Sequence, residues 1–371
     1  MRVLLLGEYS NVHATLATGL RALGHEVLVV SNGDFWKNYP RDIDLSRGKS
    51  RLSSIAFLLK VLRTLPRLKG FDIVQLINPM FMELKAERLV PIYRYLRRNN
   101  KHIVLGAFGM DYYWVHECDS RRPLRYSDFN FGDQLRTDND AERERRDWVG
   151  TAKQRLNEMI ANDCDGIVTG LYEYWACYEP LFPDKTTFIP YPIVLPQTNA
   201  DKNIERNSTS PVKVFIGINR SRSAYKGTDI MLRAAEDVAR EYPSDIELVK
   251  VESVPFAEYQ RLMDGSDAIL DQLYSYTPSM NALLAMSKGI VNIGGGEPEN
   301  YSILNETELR PIVNVQPSYE SVHAALVELV THRDRLPTLQ RQSVEYIRRH
   351  HDYLKVARQY LEFYQRFVDK R

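Results

Sequence analysis

The chain has 371 residues, too many for one ordinary hydrophobic core, so its length predicts two domains. A net charge of +1 argues against general nucleic-acid binding, which needs a basic excess. The three cysteines show no CxxC pair and no metal-ligand spacing, and no apolar run approaches the roughly 20 residues that span a bilayer. The N-terminus runs straight into an apolar strand without a signal-peptide layout. We therefore expect a cytoplasmic protein, or one bound to the inner face of a membrane.

The first half of the chain alternates strands with helices. Its strands are apolar along their whole length, which is typical of a parallel sheet covered on both faces. The first turn lacks the GxGxxG pattern, so we expect no bound NAD or FAD there. The predicted elements are strand 2–7, a helix ending near Leu23, strand 24–31, strand 71–77, helix 84–99, strand 102–106, helix 141–161 and strand 165–169, and residues 188–194 lead the chain out of the first domain.

Polar residues follow two of these strands, at the edge where open α/β sheets bind ligands. The first loop supplies Glu8, Tyr9, Ser10, Asn11 and His13, and a later strand end is followed by Asp111 and His116. A general base or a sugar-positioning group belongs at such a strand end. Alternatively, His13 caps the helix or is solvated, and Asp111 only caps its turn.

The segment 47–69 is strongly basic and contains no acidic residue. Five apolar residues in it follow helical spacing, whereas three basic residues share another face. Such a helix can lie on anionic lipid, which makes Lys60, Arg63 and Arg67 candidates for membrane docking. The alternative is a helix that covers the sheet and has a solvated basic edge. The apolar residues are Leu52, Ile55, Ala56, Leu59 and Leu62, and the further basic residues are Arg47, Lys49, Arg51 and Lys69.

Residues 117–147 are polar and lack clear periodicity. A long stretch of this kind inside a compact domain is usually a functional loop or a mobile lid. We expect either an acceptor-binding loop or a solvated insertion. Its candidate contact residues are Arg121, Arg122, Arg125, Tyr126, Phe129 and Phe131.

The second half repeats the alternation after a polar linker at 197–210. Residues 1–196 then form a first domain, and residues 211–350 form a second domain. We expect an aromatic-rich C-terminal helix within 351–371 to cross back onto the first domain. The predicted elements are strand 212–217, helix 228–241, strand 246–252, helix 255–264, strand 268–273, helix 279–288, strand 289–294, strand 312–315 and helix 318–332.

Two polar, glycine-containing turns in this half predict a nucleotide-sugar site. Arg220, Arg222 and Lys226 follow the first strand of the second domain, where they could hold a diphosphate. The second turn adds groups that could grip a ribose and a sugar. These are Tyr274, Ser279, Met280, Asn281, Glu297 and Glu299.

The order of several short motifs resembles the GT-B glycosyltransferases, most closely the family-4-like group that decorates polysaccharides and lipids. The motifs are Gly24 to Val27, Ile189 to Ile193 before the linker, Lys226-Gly227 and Ala285 to Gly289. The resemblance implies an α/β protein of two doubly wound Rossmann-like domains that face a central cleft. It also implies a retaining, metal-independent transferase (class EC 2.4) without a cofactor, in which the first domain (residues 1–196) binds the acceptor and the second (residues 211–350) binds the donor.

The resemblance further implies partners and residue roles. The donor is a nucleotide-sugar such as a UDP- or GDP-sugar, and the acceptor is a glycan or a lipid-linked sugar in capsular, exopolysaccharide, lipopolysaccharide or glycolipid assembly. Arg220 or Arg222 and Lys226 match the residues that neutralise the leaving diphosphate. Residues 8–13 approach the same phosphates, and Asp111 falls where a residue contacts the transferred sugar.

The sequence departs from this family at a pair of glutamates. The positions that match them are Tyr276 and Leu284, and neither can serve as a carboxylate. Glu297 and Glu299, after three glycines, are the candidates to take over their role. Because the two family carboxylates are absent, two alternatives to a transferase stay open, namely a catalytically silent sugar-nucleotide-binding protein and a GT-B-like sugar-nucleotide epimerase.

Overall fold

The computed structural model describes residues 1–48, 53–196, 210–219, 222–252 and 254–368. The chain divides into two compact units. Unit 1 comprises residues 1–123, residues 143–192 and the chain from Tyr353 onward. Unit 2 comprises residues 124–142 and 193–352. The predicted linker at 197–210 lies outside the described residues except for Ser210, as do Arg220, Lys49, Arg51 and Leu52.

Unit 1 is built on a parallel sheet. Its described strands are β1 Arg2–Leu6, β2 Glu26–Ser31, β3 Ile43–Asp44, β4 Ile73–Leu76, β5 His102–Ala107, β8 Gly166–Thr169 and β9 Thr186–Phe188, in the order β3-β2-β1-β4-β5-β8-β9. Its helices are α1 Val12–Ala22, α2 Ser53–Thr64, α3 Ala86–Asn99, α4 Tyr112–Asp119, α6 Ala152–Asp163, α7 Tyr172–Tyr178 and α15 Tyr353–Val368. The central strands are fully buried because apolar side chains cover both faces.

Unit 2 contains a second parallel sheet and a small antiparallel hairpin. The sheet strands are β10 Val212–Ile218, β11 Ile246–Glu252, β12 Ala268–Leu270, β13 Val291–Gly294 and β14 Val313–Asn314, in the order β11-β10-β12-β13-β14. The hairpin pairs β6 Asn130–Phe131 with β7 Gln134–Leu135. The helices are α8 Ser223–Lys226, α9 Thr228–Glu241, α10 Phe256–Met263, α11 Met280–Ser287, α12 Pro298–Ile303, α13 Tyr319–Thr331 and α14 Leu336–Tyr346.

The segment between β5 and β8 differs from its sequence-based prediction. The helix expected over 141–161 is two helices, α5 Asn139–Trp148 and α6, because Gly150 between them adopts a left-handed backbone with φ +74°. The residues before α5 are also ordered, and residues 124–142 group with unit 2 although the sequence on both sides belongs to unit 1.

The C-terminal helix packs on unit 1. Gly19 of α1 lies against it, since a β-carbon at this position would stand 2.6 Å from the Tyr353 carbonyl oxygen and 2.7 Å from the Ala357 β-carbon. At the other end of the helix, Phe363 and Phe367 lie against Gly166 of β8 in the same way. Both glycines allow the helix to approach the sheet and α1 closely.

Helix α2 exposes three of the apolar residues that were predicted to form its apolar face. Phe57 and Val61 point into unit 1, whereas Ile55 is 65%, Leu59 46% and Leu62 50% exposed. The helix therefore covers the sheet with one apolar stripe and presents a second one to solvent. In the described part of the chain, no helix is long and apolar enough to cross a membrane.

Candidate functional site

A basic loop, residues 222–226, follows β10 of unit 2 and lies beside the loop that follows β12. The Leu273 amide donates to the Lys226 carbonyl oxygen at 3.0 Å. Gly227 makes this approach possible, because its φ is +72° and a β-carbon there would meet the Leu273 β-carbon at 2.6 Å. The predicted diphosphate ligand Arg222 is exposed, and its guanidinium lies over the Tyr225 ring at 5.1 Å. The predicted Arg220 lies outside the described residues.

The loop after β12 places Ser279 at the start of α11, next to the basic loop. The Ser279 hydroxyl donates to Asp271 at 2.6 Å and accepts from the Ala282 amide at 3.4 Å, so it caps the helix. Burial raises the pKa of Asp271, and the hydrogen bonds from Ser279 and the charge of Lys226 oppose that rise. Beyond Ser279, Met280 is half-buried and Asn281 is exposed. Asp271, Ser279 and Lys226 therefore lie close together at the carboxyl edge of this sheet, and Arg222 belongs to the same basic loop as Lys226.

The two positions that match the family glutamates have other roles here. Tyr276 is buried, and its hydroxyl accepts the Arg125 amide hydrogen at 2.7 Å. Leu284 packs against the apolar cluster around Phe215 and Ile269. Neither position offers a carboxylate to a sugar or a ribose.

Glu297 and Glu299 form ion pairs with Arg125. The Arg125 guanidinium donates to Glu299 at 2.5 Å and to Glu297 at 2.6 Å. Glu297 also accepts from Tyr126, Asn314 and Gln316, at 2.7, 3.0 and 2.6 Å. Burial works to raise the pKa of Glu297, but these hydrogen bonds and the charge of Arg125 outweigh it and lower the pKa. Glu297 thus holds these side chains of unit 2 together. That Glu297 and Glu299 bind the donor stays a prediction.

The first loop of unit 1 buries two of its predicted site residues. Glu8 accepts the amide hydrogens of His13 and Ala14 at 3.3 and 2.8 Å, at the start of α1. The His13 ring contacts the Gly7 carbonyl oxygen at 2.8 Å through Nδ1 and Gln75 at 3.1 Å through Nε2. His13 is completely buried, so the alternative of a solvated histidine is wrong, and a role of His13 in the ligand site stays a prediction. A neutral imidazole with partners on both nitrogens has a structural role.

The rest of this loop is half-buried and turns sharply. Ser10 and Asn11 have φ values of 51° and 71°, a left-handed conformation. The Ser10 amide donates to Asp34 at 2.9 Å, and Lys37 donates to the Ser10 hydroxyl at 3.2 Å. Burial is the main reason why the pKa of Tyr9 is raised, with smaller effects from Asp34 and Asp111. Tyr9 therefore lies near the predicted residue Asp111.

Asp111 is the N-cap of α4. One carboxylate oxygen accepts the Trp114 amide hydrogen at 2.8 Å, and the other accepts the Tyr178 hydroxyl at 2.7 Å. Burial raises the pKa of Asp111 to about 7. His116 lies on the same helix, stacked on the Tyr112 ring at 5.1 Å. Asp111 therefore has the capping role that was the alternative prediction. A catalytic role for Asp111 or His116 stays a prediction.

One residue near the basic loop was not predicted from the sequence. The Arg136 guanidinium lies 3.7 Å from the centre of the Tyr274 ring and donates to the carbonyl oxygens of Ala224 and Tyr225 at 3.0 and 3.1 Å. Sequence position assigned Arg136 to the first domain, about 90 residues before the loop that it contacts. The only available signal was the irregular, arginine- and aromatic-rich composition of residues 117–147. In the described part of the chain, no group of three or more His, Cys, Asp or Glu residues could hold a metal ion.

Comparison with solved structures agrees with this architecture. Sucrose-phosphate synthase from Thermosynechococcus elongatus matches with a TM-score of 0.64 at 14% identity, covering 100% of both chains. The chain has the fold of the GT-B glycosyltransferases. HepE from Anabaena, in complex with UDP-glucose, matches this GT-B chain with a TM-score of 0.60 at 10% identity and 98% coverage of both.

Enzymes of another class share the GT-B fold. UDP-GlcNAc 2-epimerase from Neisseria meningitidis, bound to UDP-GlcNAc, matches with a TM-score of 0.55 at 13% identity, covering 98% of this chain and 99% of that one. No protein-family model and no curated protein matches the sequence. At these identities the likeness establishes the fold, and the chemistry has to be argued from the site.

Proposed function

We propose that the protein is a glycosyltransferase that moves a sugar from a nucleotide-sugar to a hydroxyl acceptor. The observation that carries this proposal is the group formed by Arg222, Lys226, Asp271 and Ser279 at the carboxyl edge of the second sheet. Ligands of open α/β sheets bind at this edge. Neighbours of the same fold were solved with UDP-glucose, UDP-GlcNAc or ADP.

The proposed chemistry follows from the charges in this group. When the bond between the sugar and the diphosphate breaks, negative charge accumulates on the departing phosphate. Arg222 and Lys226 would stabilise that charge without a metal ion. The sugar would pass to an acceptor hydroxyl of a glycan or a lipid-linked sugar, with retained configuration. Both the retention and the acceptor class rest on the resemblance to the family-4-like enzymes.

A thermal-shift screen against UDP, GDP, ADP and their sugars tests the donor site. A ligand at about 100 times its Kd stabilises a protein by roughly 2.7 kcal/mol, which is easily measured. We expect one nucleotide series to raise the Tm of the parent and of Arg240→Gln, an exposed arginine on α9, but not of Arg222→Gln. If no nucleotide shifts the parent, the proposed donor site is wrong.

The absence of a carboxylate at Tyr276 and Leu284 favours a second candidate, a sugar-nucleotide-binding protein without transferase activity. The epimerase neighbours provide a third, because they share the fold and one of them was solved with UDP-GlcNAc. The two carboxylates that were predicted to replace the family glutamates, Glu297 and Glu299, are already bound by Arg125. The transferase remains our proposal, since a leaving diphosphate needs cations only, whereas an epimerase would also need acid and base residues at the sugar.

We further propose that the protein works at the inner face of an anionic membrane. Helix α2 supports this, because the exposed stripe of Ile55, Leu59 and Leu62 lies beside basic residues with no acidic residue from 47 to 69. Apolar insertion and attraction to anionic lipid act together in such helices. A lipid-linked acceptor would be reached from this position.

A further inference from the structure

Residues 124–142, which we call the inserted hairpin, form an ordered element of unit 2. Asn130 donates from its side chain to the carbonyl oxygens of Leu124 and Gly132 at 3.0 and 3.1 Å, and Ser127 bonds the Asn130 side chain at 2.5 Å. Phe129 is completely buried, and its carbonyl oxygen accepts the Arg136 amide hydrogen at 2.7 Å. The hairpin therefore has its own internal hydrogen bonds and a small core.

The first end of the inserted hairpin is anchored after β12 and β13. Arg125 forms ion pairs with Glu297 and Glu299, and its guanidinium lies 4.9 Å from the centre of the Tyr276 ring. The Tyr126 ring lies 4.9 Å from the same tyrosine ring. Glu297 is buried, so the pairing is shielded from water and salt on that side.

The second end is anchored on the basic loop. Arg136 bonds the carbonyl oxygens of Ala224 and Tyr225, and the Tyr225 hydroxyl donates to Asp128 at 2.7 Å. The Tyr274 ring stacks on the Arg136 guanidinium. Every partner at this end lies in a loop that follows β10 or β12, so the hairpin spans the carboxyl edge of the second sheet.

The contact with Arg136 changes the electrostatics of the basic loop. The Ala224 and Tyr225 carbonyls belong to the last turn of α8, and the Ala224 carbonyl oxygen also accepts the Gly227 amide hydrogen at 3.3 Å. The positive charge of Arg136 opposes these carbonyl dipoles, which on their own would repel a phosphate. One terminal nitrogen of Arg136 donates to both carbonyls and the other donates to the Ser127 carbonyl oxygen at 3.1 Å, while the flat guanidinium stacks on the Tyr274 ring. A lysine ammonium carries its donors on a single nitrogen, so it could bond the two loop carbonyls but could not also reach Ser127 or stack on the ring.

We propose that the inserted hairpin is a fixed wall of the donor site and that Arg136 is a positioning residue for the donor diphosphate. It holds the basic loop in the shape that presents Arg222 and Lys226 to the phosphates. The hairpin is thereby a donor-site element supplied from within the sequence of the first domain. This inference rests on the proposed function, since it assumes that the basic loop binds a diphosphate.

The test measures diphosphate affinity in variants of Arg136. The parent, Arg136→Lys, Arg136→Gln and the control Arg240→Gln are titrated calorimetrically with UDP, GDP, ADP and inorganic pyrophosphate at 10 °C. We expect both Arg136 variants to raise the Kd of the nucleotide at least tenfold, while Arg240→Gln leaves it unchanged. Lysine is expected not to rescue binding, because a single ammonium nitrogen cannot bond the Ser127 carbonyl together with the loop carbonyls or stack on the Tyr274 ring.

Three results would contradict the proposal in different ways. If Arg136→Lys binds like the parent, Arg136 acts by its charge and not by positioning the loop. If both variants bind normally but have a lower Tm, the hairpin is structural only. If the parent binds neither nucleotides nor pyrophosphate, the proposed function itself fails. Should both variants misfold, Asp128→Asn tests the same end of the hairpin. We expect a smaller rise in the Kd of the nucleotide for this variant. An unchanged Kd would overturn the proposal.

Discussion

Burial controls the ionisation of three side chains that follow strands of the first sheet. It raises the pKa of Glu8 to about 8 and that of Asp111 to about 7, and it lowers the pKa of His13 to about 3. The imidazole is therefore neutral at physiological pH, whereas the pKa values of the two carboxyl groups lie close to that pH. Ionisation of either carboxyl group lowers the stability of the folded state, because the charge is buried.

Asp111 allows this cost to be measured. Its folded-state pKa is raised, so its contribution to stability is complete below its unfolded pKa near 4 and is lost as the pH rises through about 7. Asp111→Asn keeps the N-cap oxygen but cannot ionise. We expect the free energy of unfolding of the variant, relative to the parent, to increase by roughly 2–4 kcal/mol between pH 4 and pH 8.5. Urea titrations at several pH values measure it.

The same variant separates capping from catalysis. Because both Asp111 oxygens are occupied by Trp114 and Tyr178, we expect turnover of the donor to fall by less than about tenfold. A loss of more than about 100-fold with an unchanged Tm would instead give Asp111 the catalytic role predicted from the sequence. Asp111→Ala, which removes the cap as well, serves as the structural comparison.

At the scale of elements, α2 shows what spacing can and cannot predict. Helical spacing identified an apolar stripe of Ile55, Leu59 and Leu62, but not which stripe faces the sheet, because Phe57 and Val61 form another with the same spacing. The tertiary structure decides between the two. The result is a helix that buries one apolar stripe and exposes another.

This surface predicts binding to anionic vesicles. We expect co-sedimentation with vesicles that contain phosphatidylserine, weakening as salt rises, and its loss when Lys60, Arg63 and Arg67 are changed to glutamate. The matched control reverses the exposed Arg88, Arg94 and Arg98 on α3, which changes the net charge equally. Binding that is lost equally in both triple variants would mean that net charge, and not α2, attracts the protein.

Because α15 packs closely on α1, we expect even the substitution of alanine for Gly19 to lower the stability of the protein. Gly19→Ala would place a methyl group within 2.7 Å of α15, which outweighs the gain of up to about 1 kcal/mol from alanine in a helix. We expect a net loss of about 1–2 kcal/mol in urea unfolding. Thr18→Ala, at the exposed neighbouring position, is the control. A stabilised Gly19→Ala variant would show that α15 does not dock tightly there.

Much of the candidate site in unit 2 could be predicted from its own sequence. The basic residues and Ser279 lie in loops that follow apolar strands. Because parallel strands end at the same edge of the sheet, these loops lie at its carboxyl edge however the helices pack. Arg136 could not be found in this way, because its partners are about 90 residues distant and no periodic pattern places the inserted hairpin. Glu297 and Glu299 were recognised as acidic residues near the site, but their pairing with Arg125 depends on that same hairpin.

At the scale of the whole molecule, the fold leaves the reaction open. Transferases and 2-epimerases match the chain over nearly its full length with TM-scores of 0.64 and 0.55. Both classes cleave or weaken the bond between a sugar and its diphosphate, so a cation pair such as Arg222 and Lys226 suits either. The fate of the sugar, and not donor binding, distinguishes them.

That fate can be followed with UDP-glucose and UDP-GlcNAc in the absence of an acceptor. A transferase lets water replace the acceptor slowly, so we expect release of UDP together with free sugar and no change of configuration at C2 of the remaining donor. Arg222→Gln should slow the release at least tenfold, because the leaving diphosphate loses a cation, whereas Arg240→Gln should leave it unchanged. Chromatography of the nucleotides with NMR of the sugars measures both products. A C2 epimer without free sugar would make the protein an epimerase, and an unaltered donor that still raises the Tm would make it a silent binding protein.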